Sequence, residues 1–173
     1  RDFEMAIEWL VRAGLVYKIR RCKNPAMPLK FYEDFDAFKL YLLDVGLLGA
    51  MSKASPRLML INNGVFTEFK GAFTENYVLE QLKSMDDLDA YYFSKDNSTQ
   101  EVDFLVQTAE RIIPIEVKAE ENVKSKSLKQ FVTVDHADKH LKGLRCSMKP
   151  YVDQDWMENI PLYSVLGYIN KHL

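Results

Sequence analysis

Glu101-Val102-Asp103-Phe104-Leu105-Val106-Gln107, the polar run Thr108-Ala109-Glu110, and then Arg111-Ile112-Ile113-Pro114-Ile115-Glu116-Val117-Lys118 decide the fold. Both halves alternate in the manner of β-strands, and the run between them is short enough for a tight turn. Successive side chains on a strand point to opposite faces, so Val102, Phe104 and Val106 are expected on one face and Asp103 on the other. In the second strand Ile113, Ile115 and Val117 share a face, and Glu116 and Lys118 share the opposite one. A tight turn makes the strands antiparallel neighbours and brings Asp103, Glu116 and Lys118 toward one side of the sheet. Two carboxylates and an ammonium there are costly to desolvate unless they pair or bind something. Pro114 interrupts the second strand, and because proline donates nothing to a ladder, a bulge or an unpaired position is expected.

Working outward, 90–93 reads as a third strand, preceded by a helix over about 66–84. That helix carries an apolar stripe of Phe66, Phe69, Phe73, Tyr77, Leu79 and Leu82, with Glu75 at its middle. Downstream, the pattern predicts a helix over about 125–141 ended by Gly143, a strand over 144–148 and a last strand over 162–165. Helix, three strands, helix and strand make an α/β layout with one mixed sheet. Toward the N-terminus, Phe3, Ile7 and Leu10 recur at helical spacing up to Gly14, followed by a strand over 15–19. A loop with Pro25 and Pro28, a strand over 38–43 and a short helix over 45–51 complete a winged-helix-like remnant over 1–52. Ser, Pro and Asn-Asn-Gly mark 52–64 as a linker, which leaves 65–173 as the main domain. Trp9, Trp156 and Tyr91-Tyr92-Phe93 are expected in the core.

The chain has 173 residues, 47% hydrophobic and 12% aromatic, which excludes a disordered polypeptide. Its 23 Lys and Arg against 25 Asp and Glu leave a formal charge of −2. The longest uncharged run, Asn159 to Asn170, is well short of the roughly 20 apolar residues of a membrane span. No membrane partner and a cytoplasmic location are therefore expected. Cys22 and Cys146 lack metal-type spacing and read as free thiols. The chain enters helical pattern at Arg1, as expected of a piece cut from a longer protein.

Near neutrality hides a patchwork. Arg12, Lys18, Arg20, Arg21, Lys23 and Lys30 follow one another with no acid between them, and 124–149 is again basic. Between the two, Asp86 to Asp103 holds Asp86, Asp87, Asp89, Asp96, Glu101 and Asp103 against Lys95 alone. Such a pattern suits phosphate contacts around an acidic site, or simply solvated faces. His136 and His140 have the i, i+4 spacing of a metal pair but no third ligand nearby, and cations in a last helical turn serve the helix dipole equally well. Asp103 and Glu116 are hard oxygen ligands of the kind Mg²⁺ or Mn²⁺ takes, with Lys118 placed to orient water or offset phosphate charge. Glu75 is positioned to add a further carboxylate from the preceding helix, and Gln130 approaches from the second helix.

An acidic helix residue, a strand Asp and Glu-x-Lys on the next strand resemble the PD-(D/E)xK nuclease superfamily. More narrowly, Phe38 to Leu48, Phe73-Thr74-Glu75-Asn76-Tyr77-Val78, Glu101-Val102-Asp103-Phe104, Ile115-Glu116-Val117-Lys118 and Lys126-Ser127-Leu128 resemble one module. It is the domain of unknown function that follows the AAA-type ATPase domain in many bacterial and archaeal ATPases. The resemblance implies a restriction-endonuclease-like mixed sheet flanked by helices, with Glu75, Asp103, Glu116 and Lys118 as catalytic positions and Asp103 and Glu116 holding the metal. It also implies a nucleic acid substrate and an ATPase domain as partner. ATP would act only through that domain, because this chain has no GxxxxGK[ST] loop. Val102 stands where the superfamily has Pro. The other expectation is a non-catalytic module that regulates the ATPase or docks a partner, with the acidic site a relic.

Overall fold

The computed structural model describes residues 2–53, 67–86, 88–96, 99–119 and 124–173. Helix α1 (Asp2–Arg12) leads into strand β1 (Val16–Cys22), a 3-10 turn (Leu29–Tyr32), β2 (Glu33–Leu42) and helix α2 (Val45–Ser52). Helix α3 (Thr67–Lys83) precedes β3 (Ala90–Ser94), β4 (Glu101–Gln107) and β5 (Ile112–Lys118). Helix α4 (Lys126–Gln130), β6 (Gly143–Ser147), β7 (Val152–Gln154), β8 (Met157–Pro161) and α5 (Val165–Asn170) follow. The strands form one mixed sheet in the order β2-β1-β3-β4-β5-β6-β8-β7. The molecule is therefore α/β, as its pattern predicts.

Each face of the sheet buries its own apolar cluster. Val78, Leu79 and Leu82 of α3 and Val165 and Ile169 of α5 lie over Phe104, Ile113, Ile115 and Leu144 on one face. On the other, Leu29, Leu128, Phe131 and Val132 cover Tyr91, Phe93, Leu105 and Ile112. Burial on this scale, roughly 25 cal/mol per Å² of apolar surface, is what holds the layers together.

The N-terminal segment shares this sheet. Strand β1 pairs antiparallel with β2 and, at Arg21↔Tyr92, parallel with β3. Between Arg20 and Arg21 the partners on β2 jump from Phe38 to Asp34, so Phe35, Asp36 and Ala37 bulge from the edge strand. The order helix, strand, strand, helix matches the expectation for 1–52. Most of the expected linker, 54–64, and Phe66 of the expected helical stripe lie outside the described residues.

Three expectations need correction, and a fourth is met by one of its alternatives. The predicted helix over 125–141 stops at Gln130, widens into a π turn over Phe131–Asp135 and tightens to a 3-10 turn over Ala137–Lys139. Val132-Thr133-Val134 is a β-branched run that a regular helix accommodates poorly, and the wide turn still buries Phe131 and Val132. The predicted strand over 162–165 is a 3-10 turn leading into α5, which brings Val165 and Ile169, four apart, into the core. Trp9 is not core: it is 79% exposed on α1. For Pro114 the second expected alternative holds: it pairs in register with Leu105 without a bulge, and its nitrogen is left unpaired. The Val117 amide faces β4, so by alternation the nitrogen of Pro114 faces β6, whose pairing with β5 begins only at Ile115.

Candidate functional site

Strands β4 and β5 pair from Gln107↔Ile112 to Phe104↔Ile115. The same register would next set Asp103 against Glu116, but the ladder ends there and the strands fork. Asp103 Oδ2 accepts the Val117 amide at 2.7 Å, in the place a main-chain carbonyl of β4 would fill. The cause lies on the other side of β4. Its partners on β3 shift from Tyr91↔Leu105 to Phe93↔Val102, so Asp103 and Phe104 both stand across from Tyr92. This bulge breaks the strict alternation. Val102 joins Leu105 in one core cluster while Phe104 and Val106 belong to the other, which corrects the expected common face of Val102, Phe104 and Val106.

Glu75 reaches the fork from the middle of α3, where the Tyr41 hydroxyl donates to its Oε2 at 3.1 Å. Burial and the neighbouring Glu75 charge push the Asp103 carboxyl up to about 7, against the donation from Val117 and the attraction of Lys39. Glu116 lies on the opposite face from Ile115 and Val117 and is 4% exposed. Its Oε1 pairs with Lys118 Nζ at 2.6 Å, and its Oε2 accepts the Leu128 amide of α4 at 3.3 Å. Burial disfavours the Lys118 ammonium, but the hydrogen bond and charge of Glu116 outweigh it and hold its pKa above the ordinary value. Arg145 sits across from Glu116 in the parallel register with β6 and hydrogen-bonds Asn159 at 2.8 Å.

The fork thus brings Glu75 to Asp103 and Glu116 to Lys118. Gln130 is not among them; its amide donates to Asp135 Oδ1 at 3.3 Å. His136 packs edge-on against Phe131 and Phe93, and His140 lies beyond the 3-10 turn, so the two no longer share a helix face. Cys22 and Cys146 are buried free thiols; burial holds Cys22 up at about 11.

Three site residues escaped the sequence reading. Lys39 pairs with Glu101 and stands over the Tyr92 ring, within reach of the charges of Glu75 and Asp103. Tyr41, two residues on and so on the same face of β2, positions Glu75. Asn76 ties α3 to β2 by accepting from the Leu42 amide and donating to its carbonyl. The period-two pair Lys39 and Tyr41 was visible in the sequence, but nothing there gave the register that sets β2 beside α3.

Among the described residues no group of three or more His, Cys, Asp or Glu side chains is arranged to hold a metal ion. The donor chemistry nevertheless suits a hard divalent cation, which is commonly held by one or two carboxylates and otherwise by water.

Residues 70–165, more than half of the chain, match the family described as domain of unknown function DUF4143. The chain belongs to the DUF4143 family. Residues 1–58 match a second domain of unknown function, DUF8612. No curated protein and no solved structure matches the chain. The DUF4143 stretch supplies Glu75, Asp103, Glu116 and Lys118, while Lys39 and Tyr41 come from the segment before it.

Proposed function

We propose that the forked β4–β5 pair is a nuclease-type site for metal-dependent hydrolysis of phosphodiesters in nucleic acid. One observation carries this reading: Asp103 faces Glu116-x-Lys118 across the point where the ladder ends, with Glu75 of α3 beside it. Asp103 and Glu116 would hold Mg²⁺ or Mn²⁺, with Glu75 in support. Bound there, such an ion polarises a phosphodiester and makes a water more acidic. Lys118, kept charged by Glu116, is placed to offset charge gathering on the phosphate oxygens, and Lys39 brings a second ammonium from β2. Tyr41 holds Glu75 in position. The likeness to PD-(D/E)xK nucleases and to the module following AAA-type ATPase domains supports this reading. It gives the module a cytoplasmic setting and an ATPase domain as partner, through which alone ATP would act.

Calorimetric titration of Mn²⁺ and Mg²⁺, with Asp103→Asn as control, tests the site directly. Binding that disappears in the variant is the expected result. With a nucleic acid substrate, Asp103→Ala or Lys118→Ala should abolish cleavage while the fold is retained; unchanged cleavage by both would refute the assignment.

A second reading has its own support. Both oxygens of buried Glu116 are already engaged, by Lys118 and by the Leu128 amide. That suits a partner-binding or regulatory module of the ATPase whose acidic site is a relic. It predicts no metal binding by the wild-type chain.

A further inference from the structure

Away from the fork, around the β4–β5 turn, Arg111, Lys139, His140 and Lys142 line a cleft of about 300 Å³. We propose that this cleft binds the phosphate of a small organic anion such as a mononucleotide. The inference is independent of the chemistry assigned to Asp103 and Glu116.

Three permanent cations face the cleft against one carboxylate, Glu110. Their compensation is slight. Lys139 forms no ion pair among the described residues, and the Arg111 guanidinium donates one long hydrogen bond, 3.5 Å, to the Tyr168 hydroxyl. Lys142 pairs with Asp153, which is itself half-exposed. Like charges gathered in a concavity repel one another and raise the local concentration of anions.

The backbone that presents them is not relaxed. The helix expected here has broken into π and 3-10 turns, and His140 ends it with φ 49° and ψ 38°. A residue other than glycine held in the left-handed region carries a conformational cost, and such costs concentrate where chain geometry serves a site. Just beyond it, a Cβ at Gly143 would lie 2.9 Å from Leu128 Cδ2, so the backbone there packs closely on Leu128.

The remaining walls are apolar, from Pro25, Met27, Ile112 and Leu141. Cations set among apolar lining residues suit an anion attached to an organic body, and about 300 Å³ is at the small end of ligand pockets. A nucleic acid strand would need a continuous basic track rather than one local cluster.

The test is calorimetric titration of AMP, and separately of a single-stranded oligonucleotide, into the wild-type chain and into Lys139→Ala, Lys142→Ala and Lys126→Ala. Lys126, exposed on α4 outside the cleft, controls for loss of general positive charge. The expected result is a sub-millimolar Kd for AMP, weakened about tenfold or more by either cleft variant and unchanged in the control. No AMP binding at about 5 mM, or equal weakening in all three variants, overturns the proposal. So does binding of the oligonucleotide alone, which would make the cleft part of a nucleic acid surface.

Discussion

Asp103 is asked to be two things: an acceptor for the Val117 amide, which favours the carboxylate, and a buried neighbour of Glu75, which disfavours it. Burial and repulsion win, and the group titrates near 7 rather than near 4. Between those values the folded chain binds more protons than the unfolded one. Stability is therefore greatest below about pH 4 as far as this group is concerned, and declines as pH rises through about 7. Asp103→Asn keeps an oxygen for the Val117 amide and removes the charge. It should stabilise the protein by about 1–3 kcal/mol at pH 8 and by little at pH 4. Urea midpoints at the two pH values check this, and an equal shift at both would refute it. The same comparison bears on function, because Mn²⁺ at pH 8 should stabilise the wild type and not the variant if Asp103 is a ligand.

At the scale of elements, two side chains fix how layers meet. Asn76 is 2% exposed and satisfies both main-chain groups of Leu42. Asn76→Ala would leave a half-buried donor and acceptor without their partner and should cost about 1–2 kcal/mol in urea unfolding. Gly143→Ala drives a methyl group into Leu128, which is fully buried and has nowhere to go; about 1–3 kcal/mol is the expected loss. Neither constraint is written in local pattern. The alternation in 101–107 and 112–118 made both strands and their antiparallel pairing legible, together with the approach of Asp103 to Glu116. The bulge across from Tyr92 was not, since it arises from how β3 and β4 share register rather than from either strand alone. Likewise Lys39 and Tyr41 read as ordinary strand residues until tertiary contact set them against α3. The β-branched run at 132–134 was the one local signal for the broken helix, and helical spacing of the flanking apolar residues concealed it.

For the whole molecule, the segments matched by two different families are joined by more than chain connectivity. Arg21 pairs with Asp96 at 2.9 Å, Lys39 pairs with Glu101, Tyr41 donates to Glu75, and β1 bonds β3. Unfolding should therefore be a single transition, with tryptophan fluorescence and far-ultraviolet circular dichroism giving the same midpoint. Two separated midpoints would show that the segments fold independently. Phe3 and Trp9 contribute nothing to that cooperativity, being 85% and 79% exposed on α1; Trp9→Ser should change stability by less than about 0.5 kcal/mol. The bulge of Phe35, Asp36 and Ala37 has a different reach. It interrupts one margin of the sheet, while the other margin is β7, only three residues long. Among the described residues, a kinked border on one side and a stub on the other make a poor template for an incoming strand. Copies of this chain are thereby kept from zipping edge to edge into fibrils, even when crowded.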